Sequence, residues 1–168
     1  TQLSNILRSS LLMGRHKVIP LSQEVQLVKD YLSLEQTRFE ERLQVKYEID
    51  ENVKDHQVPP MLLQTLVENG IKHGVSKLAE GGKIEIRARK EGEDLKLTIE
   101  NTGNFRKVKD REPVFGLLNS RQRLFLLYGE KGELHIRNSA HVTVIVEVTI
   151  PASIKKIKVF KSSIDNKN

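Results

Sequence analysis

Two pairs of short segments with alternating polarity constrain the fold of this chain more than any other feature of its sequence. In each pair, apolar residues alternate with polar ones on both sides of a short polar turn, which is typical of a β-hairpin. The first pair is residues 83–90 and 95–99 around Glu91-Gly92-Glu93, and the second is residues 134–137 and 142–150 around Asn138-Ser139-Ala140. Two hairpins predict a mostly antiparallel sheet.

Helical patterns lie before and between these hairpins. Apolar residues recur every three or four positions, which indicates four helices over residues 1–13, 22–39, 62–74 and 116–128. Residues 43–49 alternate as a half-buried strand. We therefore predict the α+β class, a two-layer α/β sandwich whose mostly antiparallel, mixed sheet carries helices on one face.

Local signals mark where two of these helices begin and which side of the last one is buried. Ser22 is predicted to cap the second helix, with Glu24 in its first turn. The pair Pro59-Pro60 marks the start of the third, because proline is tolerated in a first turn. In the last helix the side chains expected to pack inward are Leu117, Leu118, Leu124, Leu127 and Tyr128.

Composition excludes several classes of function. The chain has 168 residues, which fits one domain, and contains no cysteine, so disulfides, thiolate metal sites and cysteine nucleophiles are excluded. No apolar run approaches the roughly 18 residues of a membrane span, and we expect exposure to the cytoplasm. The net charge of +6 suits an anionic partner. Nucleic acid is the weakest candidate, because the few aromatic residues do not alternate with a basic stripe.

The segment LLQTLVENGIKHG, residues 62–74, combines an apolar side with a polar edge. As a helix it aligns Thr65, Asn69, Lys72 and His73 at spacings of three and four residues. An amide, an ammonium and an imidazole along one edge suit a charged ligand. The solvated face of an ordinary amphipathic helix is the alternative, and the segment alone does not decide between the two.

Two glycines mark places where a ligand can approach the backbone. Gly103 ends the strand segment Ile99-Glu100-Asn101-Thr102 and opens a long loop, where the missing side chain lets a flat ligand lie against the chain. Gly116 begins the last helix, whose free amides and dipole favour phosphate. Each glycine alone is more simply a turn residue, but their order around a long loop indicates one site.

The run LLQTLVENGIKHG, then ENTG, then GLLNSRQRLFLLYG resembles the ATP-binding domain of sensor histidine kinases. The upstream runs SNILRSSL, PLSQEVQLVKDYLSLEQTRF and VPPMLLQTLVEN are similar to the autolysin-regulator, or LytS-like, type of two-component sensor kinase. This resemblance covers nearly the whole chain. It implies the Bergerat ATP-binding fold, an α/β sandwich shared with gyrase and a heat-shock chaperone, and an enzyme that uses ATP and Mg²⁺.

The resemblance also implies roles for single residues. Asn69 would ligate Mg²⁺, Lys72 would contact a phosphate, and His73 would pack near adenine or ribose. Glu68 would orient a water or the metal, although an exposed helix carboxylate is an equal interpretation, and with Lys72 it completes the expected catalytic residues. The further nucleotide contacts that it implies are Asn101, Gly103, Gly116, Leu117, Asn119 and Arg121, with Arg123 as a second arginine that can reach phosphate.

Three positions depart from the pattern of the family. Asn101 stands where an aspartate usually accepts a hydrogen bond from the adenine amino group, and a neutral amide should form a weaker bond. Phe105 and Val114 stand where glycines are usual. These departures leave open an alternative function, that of a degenerate nucleotide-binding fold that acts as a non-catalytic docking or regulatory module.

The resemblance also predicts how the chain is organised and what it works with. Residues 1–20 would end a dimerisation and phosphoacceptor region, residues 21–151 would form the ATP-binding domain, and residues 152–168 a basic tail. None of His16, His56, His73, His135 and His141 lies in the Pro-His-Phe context of a phosphoacceptor. We therefore expect that helix upstream, on the same or a partner subunit of a homodimer, with a response regulator as a further partner and a membrane anchor elsewhere in the protein.

Overall fold

The structure, a computed structural model, describes residues 17–104 and 115–154 of the chain. Several predicted features lie outside these ranges. They are the helix over residues 1–13, the departures at Phe105 and Val114, and most of the basic tail.

Within the described residues the chain forms three α-helices and seven strands. The helices are α1 (Leu21–Phe39), α2 (Leu62–His73) and α3 (Phe115–Tyr128). The strands are β1 (Ile19–Pro20), β2 (Leu43–Ile49), β3 (Gln57–Val58), β4 (Gly82–Glu91), β5 (Asp94–Thr102), β6 (Glu133–Asn138) and β7 (Thr143–Ile150). The predicted helices and strands in these ranges are confirmed, with bounds that differ by a few residues.

Five strands form one mixed sheet in the order β2-β4-β5-β7-β6. Both predicted hairpins are present, since β4 pairs antiparallel with β5 and β6 pairs antiparallel with β7. The hairpins join through an antiparallel β5–β7 pairing, in which Asn101 lies opposite Val144. The exception to the antiparallel pattern is β2, which runs parallel to β4. A mixed, mostly antiparallel sheet was the prediction, and it is confirmed.

The three helices pack on one face of this sheet around a single apolar core. Strand residues of the inner face, such as Ile84, Leu97 and Ile99, are fully buried against helix residues such as Leu66 and Leu124. Burying this many large apolar side chains makes the dominant favourable contribution to the folding free energy. The two-layer α+β sandwich is therefore confirmed, and it sets the end of α2 close to the end of β5. No helix within the described ranges is long and apolar enough to cross a membrane.

The opposite face of the sheet carries charged side chains that pair across the strands. Arg87 lies 3.1 Å from Glu85 and 3.2 Å from Glu100, and Lys46 and Lys83 each lie 3.5 Å from Glu85. Burial alone would raise the pKa of Glu85, but Arg87 and the two lysines hold it below its ordinary value. This face of the sheet is therefore polar.

Two features of the described chain were not predicted. A short antiparallel pair joins β1 to β3, with Ile19 opposite Val58, in two stretches for which no strand was predicted. The N-cap position of α1 is Pro20 and makes no side-chain capping bond, while Ser22 lies inside the helix. The predicted Ser22 cap is therefore wrong, because the paired strand β1 carries the chain directly into the first turn.

The inward packing of α3 was predicted correctly except at one position. Leu117, Leu124 and Tyr128 are buried and Leu127 is partly buried, but Leu118 is 54% exposed. Leu118 differs because a helix turns by about 100° per residue, so the neighbour of a fully inward residue points away from the core. Phe125 and Leu126 are exposed on the same helix.

Candidate functional site

Three segments that are distant in sequence meet at one edge of the helical layer. They are the second half of α2, the end of β5 and the first turn of α3. Their contacts are tight enough that side chains larger than glycine would not fit at several positions. The convergence that the sequence indicated for these three stretches is therefore present in the structure.

The end of α2 packs directly onto the end of β5. A Cβ atom added at Gly74 would lie 2.2 Å from Asn101 Nδ2 and 2.7 Å from the Thr102 carbonyl oxygen, and one added at Gly70 would lie 2.9 Å from Asn101 Oδ1. Gly103 has φ +137, which L side chains rarely adopt, and its Cβ would lie 2.8 Å from Gly74 Cα. Glycine at these positions brings the two backbones into contact around the Asn101 amide.

Asn101 forms the floor of this region. Its side chain is only 3% exposed, and its Nδ2 donates a 3.1 Å hydrogen bond to the Thr102 carbonyl. This bond fixes the orientation of the amide, whose Oδ1 is its hydrogen-bond acceptor.

The start of α3 rests on the polar edge of α2. A Cβ atom added at Gly116 would lie 2.8 Å from Thr65 Cγ2 and 3.0 Å from Asn69 Nδ2. Thr65 itself donates a 2.6 Å hydrogen bond to the Met61 carbonyl. Glycine at position 116 thus places the free amides of the first turn of α3 beside the Asn69 side chain.

The side chain of Asn69 has an unsatisfied hydrogen-bond donor. Within the described part of the chain its Nδ2 atom is buried and has no hydrogen-bond partner. Buried polar atoms are rarely left unpaired, because an unmade bond costs about 1–3 kcal/mol. An unsatisfied amide between two helices at a glycine contact is the arrangement expected where a polar ligand completes the site.

The remaining polar residues of α2 lie at its last turns. Lys72 and His73 are exposed at the carboxyl end of the helix, one turn beyond Asn69. Glu68 is partly buried and accepts a 2.7 Å hydrogen bond from Gln64 Nε2. Lys72 and His73 therefore share an edge with Asn69, as predicted, whereas Glu68 is engaged by a residue of its own helix.

Not all the residues predicted on α3 join this group. Leu117 is buried in the core and Asn119 is exposed next to the first turn. Arg121 Nε donates a 3.1 Å hydrogen bond to the Leu134 carbonyl on β6. Leu134 lies four residues before the end of β6 that is level with Asn101 in the sheet. Arg123 donates to the Pro60 carbonyl at the opposite end of α2. The structure does not bring either arginine to the edge formed by Asn69 and Lys72.

A residue that supports the site was not predicted in this role. Glu24 of α1 is fully buried, and its two carboxyl oxygens accept hydrogen bonds from the backbone amides of Met61, at 2.6 Å, and Leu63, at 3.0 Å. Glu24 therefore caps α2 from a different helix. The signal in the sequence was its position four and eight residues before the buried Val28 and Leu32, on the apolar side of α1.

The donor set is suited to magnesium held jointly with a ligand. The amide oxygen of an asparagine is a hard ligand of the kind that Mg²⁺ takes, usually together with waters and phosphate oxygens. Within the described ranges no group of three or more His, Asp or Glu side chains is arranged to hold a metal ion. The amide oxygen of Asn69 is thus the atom of this site that suits a metal, whereas its unpaired Nδ2 suits an acceptor oxygen such as that of a phosphate.

Known proteins resemble the chain both in sequence and in fold. A family model described as "Histidine kinase" matches residues 1–43. The sensor protein LytS of Staphylococcus haemolyticus is 35% identical over 164 residues, which are 90% of this chain and 28% of that protein. The chain therefore spans less than a third of the length of this relative.

Two solved structures are similar to the described fold. The catalytic domain of the histidine kinase ThkA, in a nucleotide-free form, superposes with a TM-score of 0.63 at 18% identity, over 82% of this chain and 97% of that one. ThkA in complex with the response regulator protein TrrA superposes with a TM-score of 0.55 at 17% identity, over 90% of this chain and 48% of that one. At such identities the likeness establishes the fold alone. With the sequence match to LytS, it follows that the chain belongs to the LytS-type sensor histidine kinases and has the fold of their ATP-binding catalytic domain.

Proposed function

We propose that this chain binds Mg-ATP and presents its γ-phosphate to a histidine on a separate helix, as the catalytic part of a two-component sensor histidine kinase. The observation that carries the proposal is the buried Nδ2 atom of Asn69, which has no partner among the described residues and lies beside Gly116, where α2, β5 and α3 meet. Membership of the LytS-type kinases supports it. The alternative of a non-catalytic docking module is not favoured by any of these similarities.

Each side of the site would bind a different part of the nucleotide. Asn101 Oδ1, with its Nδ2 tied to Thr102, would accept a hydrogen bond from the adenine amino group. Gly103 and Gly74 pack against each other beside Asn101, so they would form part of the wall next to the base and not a surface on which it lies. His73 would pack near the ribose. We place adenine at the β5 end and the phosphates along α2 toward α3.

The phosphates would lie between Lys72 and the first turn of α3. Lys72 is exposed, and its long, flexible side chain suits a point charge that follows a phosphate. The free amides that start α3, from Gly116 through Leu117 to Asn119, would donate to phosphate oxygens. Glu68 would orient a water or the metal. Arg121 is omitted from this proposal because its side chain is bonded to the Leu134 carbonyl.

Asn69 would hold Mg²⁺ through its amide oxygen. When bound, Mg²⁺ would supply neutralisation of the phosphate charge, on which phosphoryl transfer largely depends together with positioning. The chain's own contribution is to fix that asparagine, exclude bulk water from its buried amide and hold the α3 amides opposite. Such preorganised donors usually contribute more to catalysis of this kind than any other single effect.

The acceptor and the regulatory partners are proposed by analogy with the family. A histidine upstream of the described residues, on the same or a partner subunit, would take the phosphoryl group and pass it to a response regulator. Residues 1–20 would belong to that acceptor region and residues 21–151 to the ATP-binding domain, with residues 152–168 as a basic tail. The domain would face the cytoplasm in a membrane-anchored sensor.

Calorimetric titration with a non-hydrolysable ATP analogue and Mg²⁺ tests the proposal. The chain should bind one equivalent saturably, and Asn69→Ala should weaken binding at least about tenfold, which corresponds to about 1.4 kcal/mol. Removing Mg²⁺ with a chelator should weaken binding to the original chain by a similar factor. The effect of Mg²⁺ should largely disappear in Asn69→Ala, because the two changes remove the same interaction.

A matched control is Asn52→Ala, since Asn52 is an exposed asparagine in the turn Glu51–Val53. It should bind the analogue as tightly as the original chain. No saturable binding at millimolar nucleotide would refute the proposal. Equal affinities for Asn69→Ala and the original chain would remove Asn69 from the site.

A further inference from the structure

The start of α2 lacks a capping side chain of its own. Its N-cap residue is Met61, which has φ 64 and makes no side-chain capping bond. Helices usually take this bond from a local Ser, Thr, Asp or Asn, whose loss costs about 1 kcal/mol. Here the orphan amides are satisfied by Glu24, a residue 37 positions earlier on α1. The position of α2 is thus tied to α1 rather than to its own flanking chain.

The capping carboxyl group lies where a charged side chain is costly. Glu24 is fully buried, and burial raises its pKa, although the backbone donors of α2 and the Arg123 guanidinium act in the opposite direction. A buried carboxyl is retained only where hydrogen bonds and a nearby cation compensate for lost hydration. Both compensating groups are supplied by other helices, the amides by α2 and the guanidinium by α3.

Arg123 completes a three-helix connection. From α3 it donates a hydrogen bond to the Pro60 carbonyl, next to the backbone amides that donate to Glu24. Asn69 lies six residues after Leu63 on α2, and it meets Gly116 of α3. Gly116 lies seven residues before Arg123 on the same helix. The same two helices are therefore fixed to each other at the Glu24–Arg123 cluster and at the proposed phosphate site.

We propose that Glu24 is a positioning residue for the nucleotide site, which holds the phosphate-binding edge of α2 against the first turn of α3 through its bonds to Met61 and Leu63 and its proximity to Arg123. The inference rests on the proposed function, because it assigns Asn69 and the α3 amides to the phosphates. Asn101 lies on the sheet, outside the cluster. Loss of Glu24 should therefore weaken the phosphate contacts and leave adenine contacts nearly unchanged.

The Glu24→Gln variant separates these two effects. An amide side chain keeps one acceptor but sets a donor group against a backbone N–H, so α2 must shift. For the folded variant, calorimetry should give an affinity for the Mg-bound ATP analogue that is about tenfold lower, or about 1.4 kcal/mol. The affinity for adenosine should change less than about twofold. Glu41→Gln, the same change at an exposed residue, should alter neither affinity.

A second variant keeps the test valid if Glu24→Gln does not fold. Arg123 lies at an exposed position, so Arg123→Gln should fold. It should weaken binding of the ATP analogue more than binding of adenosine. Arg89→Gln, at an exposed strand residue, is its control.

Three outcomes would overturn the inference. They are unchanged affinity in folded Glu24→Gln, lost stability with unchanged affinity, and an equal loss for adenosine and the ATP analogue. If the original chain binds no nucleotide, the proposed function fails as well. If the original chain binds and the variants bind equally, only the positioning role fails.

Discussion

At the residue scale, the site depends on its glycines as much as on its polar side chains. Gly116 lets α3 approach α2 until its first turn lies beside Thr65 and Asn69. The distance between the Asn69 amide and the free amides of α3 is then set by direct contact of the two helices. A site of this kind is sensitive to a single methyl group, because packed interiors relax only partly.

We expect Gly116→Ala to weaken nucleotide binding about tenfold, or about 1.4 kcal/mol. The new Cβ would lie 2.8 Å from Thr65 Cγ2 and 3.0 Å from Asn69 Nδ2, so the two helices must separate or Asn69 must turn. Alanine favours a helix by up to about 1 kcal/mol over glycine, but overpacking typically costs about 1–3 kcal/mol. Calorimetry for binding and urea unfolding for stability measure both effects.

Gln122→Ala serves as the control, because Gln122 is an exposed residue of the same helix. It should bind the ATP analogue like the original chain. A Gly116→Ala chain that binds normally and gains stability would mean that α3 does not need its close contact with Asn69.

Single residues of the site were predictable to unequal degrees. The sequence indicated that the segments of Asn69, Gly103 and Gly116 belong together, and the structure brings these segments together, while their roles toward a nucleotide stay predictions. The partner of Arg121 was not predictable, because a long side chain reaches many positions and the position of the Leu134 carbonyl is defined only by the β6–β7 pairing. Glu24 was predicted only as a first-turn residue of α1, since no local signal specifies that it caps another helix.

At the element scale, α2 shows how a boundary can be predicted for an incomplete reason. The predicted start at residue 62 is confirmed, but the two prolines lie before the N-cap residue Met61 and not in the first turn. The prolines belong to the segment before the helix, while the backbone amides at the helix start donate hydrogen bonds to Glu24. Capping by a distant residue depends on tertiary structure, which a sequence window does not contain.

The Glu24 cap makes the stability of the helical layer depend on pH. Burial raises the pKa of Glu24 in the folded chain above its unfolded value. Its contribution to stability is therefore fully present below the unfolded pKa and declines as pH rises through the folded pKa. Glu24→Gln does not titrate, so the unfolding free energy of the original chain minus that of Glu24→Gln should fall from acidic to neutral pH.

Urea unfolding of both chains across this range measures the difference. A difference that increases with pH would mean that the amides of α2 and Arg123 outweigh burial and lower the pKa of Glu24. A constant difference would mean that its folded and unfolded pKa values are the same.

At the scale of the whole molecule, the sequence predicted the hairpins but not how they are joined. Alternation within residues 83–99 and 134–150 is local, so both hairpins were correct. The parallel β2–β4 pairing and the β5–β7 contact join segments that are far apart in sequence. Several strand orders satisfy the same alternation, and the helices that must cover the inner face select among them.

One apolar core connects the sheet, all three helices and the site, so the stabilisation that a bound ligand produces should extend over the whole domain. Ligand bound only to the folded state should stabilise the whole domain by about 2.7 kcal/mol at a concentration 100 times the dissociation constant. Backbone amides that exchange through global unfolding, including those of β6 and β7, should therefore slow by about the same factor of 100 in hydrogen exchange with deuterium.

Amides at the site should show additional protection. We expect it in residues 69–74, 101–103 and 116–120, which form the three segments that meet around Asn69 and Asn101. Residues 43–49 of β2, at the far edge of the sheet, should show only the global effect. Hydrogen exchange with and without the Mg-bound ATP analogue measures both. Asn69→Ala should reduce both at the same nucleotide concentration, because tenfold weaker binding lowers the global slowing from about 100-fold to about tenfold.

The pattern of exchange distinguishes two ways of holding the site together. Uniform slowing of the core requires that α2, β5 and α3 unfold together with the sheet, as a single core implies. Slowing limited to the site, with β6 and β7 unchanged, would mean that the helical layer opens without the sheet. The bonds from Glu24 and Arg123 to the start of α2 would then be too weak to couple the three helices.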